Sequence, residues 1–238
     1  MSSVALRDRK PEAGAAVMQL EQLFSQRLSC RAYHPDPVPE EVIRDILRIA
    51  QSTASWCNSQ PWQIAITRGE GTERLRKAMY KAASSGAFED LDFKPPREYR
   101  GVYLERRRES GFQLYNALGI ERGDKARYRE QTLENFRFFG APHLAVITTD
   151  EALGTYGAVD CGCYVSNFML AATAYGIGTV AQAAIAQFPN LLRQELGLGE
   201  DRRIVCGISF GYPNPDHPTN SYRTTRASVD DVLQLIDR

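Results

Sequence analysis

The sequence carries no excess charge of either sign, because 29 lysines and arginines balance 29 aspartates and glutamates in its 238 residues. A zero net charge removes the general electrostatic attraction that draws proteins to nucleic acid or to anionic membranes. Arginines do cluster at 106–108, but Glu105 and Glu109 flank them, which is typical of a solvated helix face. We therefore expect neither a nucleic-acid partner nor a membrane partner.

Histidine and cysteine are scarce, and their spacing does not favour metal binding. The three histidines, at 34, 143 and 217, stand alone, and of the five cysteines only Cys161 and Cys163 lie close together. Those two point to different sides of a predicted helix. An odd number of dispersed cysteines is typical of reduced thiols, so we expect no metal and a cytoplasmic location.

The chain also lacks long apolar runs and several well-known catalytic motifs. Its most apolar stretch, 164–175, is too short to span a bilayer, and the N-terminus has no apolar signal core. There is no P-loop, no G-x-S-x-G elbow and no G-x-G-x-x-G after a strand. The acidic residues lie on amphipathic faces, so no acid–base pair stands out and we assign no catalytic side chain.

Apolar periodicity predicts one α+β domain over 1–238, with the first 14 residues flexible. Helices are predicted at 15–26, 39–50, 72–84, 102–118, 125–139, 157–175 and 190–196, with a last one from about Ser228 on a Ser228/Asp231 capping box. Strands are predicted at 63–67, 144–148, 178–182 and 204–210, the third being a strand or a turn. Irregular alternation of helices and strands favours α+β over a doubly wound sheet.

Two predicted segments have unusual properties. The helix at 157–175 is apolar on nearly every face, which indicates burial in a core or at a subunit interface. The loop at 86–101 is long for a compact domain, and such loops often form lids or binding walls.

Two arginines and a serine, Arg27, Ser29 and Arg31, follow the first predicted helix within five residues. Guanidinium groups match phosphate and carbonyl oxygens, and the hydroxyl adds a short donor. A helix end whose cations offset the helix dipole is the alternative, and this stretch alone favours that alternative.

Three further groups of residues, taken with this stretch, resemble the FMN-dependent nitroreductase family. The opening motif, Arg-x-Ser-x-Arg before an aromatic-x-x-x-Pro passage, is present at 27–37. An N-S-Q-P-W motif is present at 58–62, a turn of small residues after a glycine at 178–184, and a closing Arg-Thr-x-Arg at 223–226. The four motifs occur in family order and span nearly the whole chain.

This resemblance implies a nitroreductase-like fold, with a central mixed or antiparallel sheet flanked by helices, in an intertwined homodimer. It also implies FMN as the cofactor. Arg27, Ser29 and Arg226 are expected to hold the phosphate, with Leu28 and Arg223 nearby. Arg31 is expected to face the pyrimidine edge of the ring and to tune the flavin.

Two more groups of cofactor residues follow from the resemblance. Small residues at Ala183 and Ala184 are expected to bring backbone N–H groups close to the ring, with Gln182 adjacent and in reach of it. Residues of the 54–58 turn are expected to reach the flavin of the other subunit; they are Ala54, Ser55, Trp56 and Asn58.

The resemblance further implies that the variable segment 86–135 forms the substrate-side wall and that 212–238 is a C-terminal extension. The candidate wall residues are its aromatics, Phe88, Tyr99, Tyr103, Phe112 and Tyr115. Ordinary packing in helix cores and on the surface explains each of them equally well.

The function implied is an NAD(P)H-dependent oxidoreductase that reduces nitroaromatics, quinones or similar flat small molecules by a ping-pong mechanism. Two alternatives stay open within the same fold. One is a different reaction, either reductive dehalogenation or flavin cleavage. The other is a non-catalytic protein that binds or stores FMN.

Overall fold

A computed structural model describes residues 14–89 and 91–237, so the expected flexible stretch lies outside the described residues except for Gly14. The α-helices are α1 (Ala15–Gln26), α2 (Glu40–Ala50), α3 (Glu70–Ser85), α4 (Gly101–Ala117), α5 (Lys125–Leu133), α6 (Gly154–Ala174) and α7 (Pro189–Leu196). The strands are β1 (Gln63–Thr67), β2 (His143–Asp150), β3 (Gly178–Gln182) and β4 (Arg202–Gly211). Most predicted elements are confirmed to within a few residues.

The four strands form one antiparallel sheet in the order β1-β2-β4-β3. Residues 143–149 of the central strand β2 are all buried, so both of its faces are covered. Successive residues alternate between those faces: Ala145 and Ile147 meet α2 and α6, whereas Leu144 and Val146 meet α3 and α7. This confirms the α+β prediction and gives the sheet a helical layer on each side.

Two predicted helices differ from the structure. The predicted helix 125–139 ends as an α-helix at Leu133 and continues as a 3-10 helix, Glu134–Gly140, in which Phe138 and Phe139 have φ of 59° and 51°. This left-handed backbone is costly for non-glycine residues, but it lets both rings be buried. Periodicity alone cannot reveal such a turn.

The predicted C-terminal helix from Ser228 is wrong. Its capping box does form, with Asp231 N donating to Ser228 Oγ at 3.2 Å and Ser228 N donating to Asp231 Oδ2 at 3.0 Å. Only one turn follows, at 229–232. Val229, Val232 and Leu235 remain exposed, and a short helix without a packed apolar face is marginal in water.

Helix α6 is buried on one face only within the single chain. Cys161, Tyr164 and Phe168 pack into the core, while Tyr156 and Val159 on the opposite side are exposed. Of the two alternatives predicted for this helix, a core of the single chain does not surround it. Its apolar outer face fits the other alternative, burial at a subunit interface, which we treat below as a proposal.

His143 predicts a pH dependence of stability. Its buried imidazole accepts from Val38 N at 2.9 Å through Nε2, and its Nδ1 lies 3.1 Å from Thr67 O, which assigns the proton to Nδ1. Burial lowers the pKa of His143 below its usual 6.5.

Below pH 6.5 the unfolded chain therefore takes up a proton that the folded chain refuses. The free energy of unfolding should fall as the pH drops from 6.5 towards the lower folded pKa, by up to about 1.4 kcal/mol per pH unit. Urea unfolding between pH 5 and 7.5 measures this slope. His143→Gln should flatten it, and an equally steep variant would contradict the assignment.

Candidate functional site

The site begins where residues 29–34 run beside the edge of the sheet. Ser29 forms a parallel bridge with Thr179 of β3, and Tyr33 forms an antiparallel bridge with Pro213. Cys30 N donates to Thr179 O at 2.9 Å. These bonds fix the backbone of the Arg27–Arg31 stretch next to the strand that precedes the small-residue turn.

Asn220 ties the C-terminal part of the chain to this stretch. Its Oδ1 accepts from Arg31 N at 2.8 Å, and its Nδ2 donates to Ala32 O at 2.9 Å and to Asn214 O at 2.7 Å. Asn220 is buried, so each of these bonds replaces one to water. The sequence gives no sign that Asn220 joins these two segments, because an asparagine in such a role has no pattern that separates it from a turn asparagine.

A cavity of about 440 Å³ lies between the two joined segments. It is lined by four arginines, Arg27, Arg31, Arg223 and Arg226, together with Phe24, Ser25, Leu28, Ser29, Ser110, Thr219, Tyr222 and Thr224. Within the described part of the chain, no aspartate or glutamate lines it. The sequence predicted this convergence, although Arg226 lies 199 residues from Arg27.

The charges in this cavity are unbalanced. Burial lowers the pKa of the Arg27 guanidinium, and the positive charge of Arg226 lowers it further. Neither arginine has a carboxylate within 4 Å among the residues that the structure describes. Like charges held together without an acid favour an anionic ligand, and guanidiniums bind phosphate well.

The helix-dipole alternative explains Arg27 alone. Arg27 is the C-cap residue of α1, where a cation offsets the negative end of the helix. Arg31 lies beyond the helix and its Nη1 is 3.3 Å from Tyr222 Oη, while Arg226 Nη1 donates to Thr224 Oγ1 at 2.7 Å. The convergence of Arg27 and Arg31 with Arg226, from two segments distant in sequence, needs another explanation.

The small-residue turn lines a second cavity. Ala183 and Ala184 begin a 3-10 helix, Ala183–Gln187, and they border a space of about 530 Å³. Its other lining residues are mostly apolar; they are Ala87, Phe88, Leu91, Phe93, Lys94, Pro95, Pro96, Ala186, Gln187, Phe188, Ile204 and Val205. Of the predicted wall residues, Phe88 alone is brought to Ala183 and Ala184.

The other four predicted wall residues, Tyr99, Tyr103, Phe112 and Tyr115, do not line this cavity. Tyr115 stacks on Tyr128 with ring centroids 4.3 Å apart, as expected for ordinary packing. The predicted wall residues were all aromatic. Leu91 and Val205 were not predicted, because short apolar residues in a loop or strand give no sign of lining a cavity.

The side chain of Gln182 is committed to the interior. Its Oε1 accepts from Ser209 Oγ and its Nε2 donates to Asn135 O at 2.9 Å. Gln182 is buried, and its side chain lines neither of the two cavities. The side chain instead fixes the end of β3, from which the alanines project.

The turn at 54–58 borders neither of these cavities. Trp56 N donates to Asp160 Oδ2 at 3.1 Å, and the indole meets Tyr156 edge-on at 4.3 Å. Ala54, Ser55, Trp56 and Asn58 therefore lie beside the exposed face of α6. Cys57 and Asn58 have φ of 52° and 55°, a left-handed backbone that is unusual outside glycine.

Comparison with known proteins identifies the family. A family model described as the nitroreductase family matches residues 24–212. The chain belongs to the nitroreductase family. This member is 37% identical over 217 residues to "Nitroreductase NfnB" of Mycolicibacterium smegmatis, a match that covers 90% of this chain and 92% of the relative. It is 32% identical over 236 residues to "4-nitrobenzoate reductase" of Nocardioides sp., covering 97% and 96%.

The nitroreductase fold is confirmed by a solved structure. The crystal structure of the FMN-dependent nitroreductase NfnB from Mycobacterium smegmatis in complex with NADPH superposes with a TM-score of 0.88 at 34% identity. The match covers 93% of this nitroreductase-family chain and 99% of that one.

Two features are absent from residues 14–89 and 91–237. No group of three or more histidine, cysteine, aspartate or glutamate side chains is arranged to hold a metal ion. No helix in that part is long and apolar enough to cross a membrane.

Proposed function

We propose that this protein binds FMN and uses NAD(P)H to reduce nitroaromatics, quinones or similar flat acceptors. Its relatives bear the names nitroreductase and 4-nitrobenzoate reductase, and the superposed structure is described as FMN-dependent and in complex with NADPH. The observation that carries the proposal is the cavity in which Arg27 and Arg226 meet without an acid.

The donors of this cavity fit the phosphate of FMN. Arg27, Ser29 and Arg226 supply two cations and a hydroxyl, and a doubly charged phosphate would relieve the repulsion between the guanidiniums. Arg223 lines the same cavity, and its Nη1 donates to Asn220 O at 3.1 Å and to Tyr222 O at 3.0 Å. Leu28 lines the same cavity between Arg27 and Ser29.

FMN, when bound, would supply the redox chemistry for a ping-pong reduction of the acceptor by NAD(P)H. The chain supplies position and charge. Ala183 and Ala184 leave their backbone open to a close-packed ring, and the apolar wall around Phe88 suits a flat aromatic partner while excluding water.

Arg31 is proposed to tune the cofactor rather than to hold it. A cation beside the ring stabilises the more negative, reduced cofactor. Arg31→Ala should therefore retain flavin while lowering its potential by about 30 mV, which equals about 1.4 kcal/mol for two electrons. Spectroelectrochemical titration measures the shift, and Arg31→Lys, which keeps the charge, should recover most of it. An unchanged potential in Arg31→Ala would contradict this role.

We further propose that two copies form a homodimer. The outer face of α6 exposes Val159 and Tyr156, and α1 exposes Met18 and Phe24, so the single chain leaves much apolar surface uncovered. Ala54, Ser55, Trp56 and Asn58 lie next to that face of α6, which supports their contacting the partner's cofactor. Light scattering should give about twice 26.7 kDa. Val159→Asp should shift the mass towards the monomer and reduce the FMN content.

A cytoplasmic location is proposed on the chemistry of the cysteines. All five are free, and burial raises the pKa of Cys161 to about 12, which keeps it an unreactive thiol. Trapping thiols in cells and counting labels on the unfolded protein should give five. A count of three or fewer would point to a disulfide and an oxidising compartment.

The function is tested by adding NADPH or NADH to the purified yellow protein without oxygen. Rapid bleaching, followed by recovery of colour on adding 4-nitrobenzoate or a quinone, is expected. Protein that stays yellow for minutes with either nucleotide would instead support a storage role. A release of halide from a halogenated phenol, with no nitroaromatic reduction, would support dehalogenation.

A further inference from the structure

Asp92, in the long loop between α3 and α4, holds a buried network of charges. Its carboxylate oxygens both lie 2.6 Å from Arg193 Nη2, and its side chain is 3% exposed. Oδ2 also accepts from Ile204 N at 2.7 Å, and Oδ1 accepts from Arg203 Nη1 at 3.1 Å. One loop carboxylate is thus bonded to α7 and to two residues of β4.

A second carboxylate of the same loop reaches α7. Glu89 accepts from Asn190 N at 2.7 Å and from Leu191 N at 3.3 Å, in the first turn of the helix. The N-cap residue of α7, Phe188, provides no side-chain cap. Glu89 satisfies N–H groups that the helix cannot satisfy itself.

These anchors are interspersed with loop residues that line the second cavity. Phe88 precedes Glu89, and Leu91 and Phe93 flank Asp92. Phe88 is 82% exposed, so packing of its ring does not hold it in place. The opposite wall includes Ala184, which belongs to another segment. The shape of the cavity therefore depends on how the loop is fastened to α7 and β4.

The Asp92–Arg193 pair is the most deeply buried ion pair among the described residues, since every other pair has a more exposed partner. Burying an ion pair costs desolvation that apolar residues of the same volume avoid. A pair of this kind gives the loop one defined position, because the charges are satisfied in that position alone.

We infer that Asp92 is a positioning residue which, through Arg193 and β4, fixes the side of the second cavity that Phe88, Leu91 and Phe93 form. The identity of the ligand in this cavity rests on the proposed function, but the attachment of the loop through Asp92 does not. The residue acts on the acceptor through the wall and does not touch the reacting atoms.

The main test is Asp92→Asn in the FMN-loaded protein, which keeps the shape of the side chain and removes its charge. The KM for 4-nitrobenzoate should rise about tenfold with kcat changed less than threefold. Reoxidation by dioxygen, which needs no binding wall, should stay within twofold. The matched control is Glu195→Gln on α7, which removes an exposed ion pair with Arg74 and should leave all three values unchanged.

Trypsin provides a measurement that does not need the proposed function. Arg97 and Arg100 are exposed in the same loop, and cleavage after them should be at least tenfold faster in Asp92→Asn than in the wild type or in Glu195→Gln. If Asp92→Asn is cleaved faster but the wild-type protein reduces no nitroaromatic, the proposed function is refuted and the attachment of the loop by Asp92 is still supported. Unchanged cleavage and unchanged KM, despite a lower Tm, would overturn the inference.

Two milder variants keep the inference testable where Asp92→Asn does not fold. Arg193→Lys retains the charge but loses the bonds of Nε to Arg202 O and of Nη1 to Asn190 Oδ1. Glu89→Gln weakens the cap and leaves the Asp92 pair intact. Each should shift KM and cleavage in the same direction by about threefold. Wild-type values in both variants would overturn the positioning role.

Discussion

Arg226→Ala should purify as a nearly colourless protein. Arg226 faces the same acid-free cavity as Arg27, and loss of its charge-assisted bond to the FMN phosphate is expected to cost about 3 kcal/mol. That cost corresponds to a Kd for FMN about 100-fold higher. Fluorescence titration of the apoprotein with FMN measures the change directly.

The matched control for this loss is Arg122→Ala. Arg122 lies 5.0 Å above the ring of Phe112 and does not line the cavity, so its removal changes the net charge equally without touching the phosphate site. Arg226→Lys should fall between the wild type and alanine, because lysine keeps the charge and loses the fork. Full flavin content in Arg226→Ala would refute the phosphate assignment.

Gly207→Ala should destabilise the fold by about 2 kcal/mol, the cost typical of overpacking a core. A Cβ built on Gly207 would lie 2.9 Å from each of three carbons of Ile185. Ile185 belongs to the 3-10 helix that carries Ala183 and Ala184, so the added methyl should also displace those alanines from β4. Urea unfolding and the rate of flavin reduction by NADPH measure the two effects.

Two comparisons isolate the contact between Gly207 and Ile185. Gly71→Ala makes the same chemical change in α3 with nothing within 4 Å of the new Cβ, and it should be neutral or slightly stabilising. In an Ile185→Ala background, Gly207→Ala should cost clearly less than in the wild type, as a double-mutant cycle would report. Equal costs in both backgrounds would show that the clash is not the cause.

The helices and strands could be predicted because their apolar residues recur at the spacing of the element they form. Helix α2 is an example, whereas strand β2 was recognised as a short continuous apolar run, and the bounds of both came out within two residues. The C-terminal helix failed on the same reasoning, because a cap at Ser228 starts a helix but packing must stabilise it. Exposed Val232 and Leu235 have no such packing in one chain.

The residues that line the arginine cavity could be predicted, but the contacts that hold the segments of the site together could not. Arg27, Ser29 and Arg226 were singled out from motifs, and they line one cavity. The clamp of Asn220 and the buried pair of Asp92 and Arg193 gave no signal, since their partners are backbone atoms and side chains distant in sequence. Such contacts depend on how segments meet, which spacing along the chain does not encode.

The meeting of two segments that lie on either side of the sheet-forming residues has a consequence for biosynthesis. Arg27 is translated before the four strands, but Asn220 and Arg226 are translated after them. The growing chain can form its sheet before all the residues of the arginine cavity have been made. Cofactor capture must therefore wait until Arg226 has been translated, and nascent chains stalled before Asn220 should remain unloaded however much flavin the cell contains.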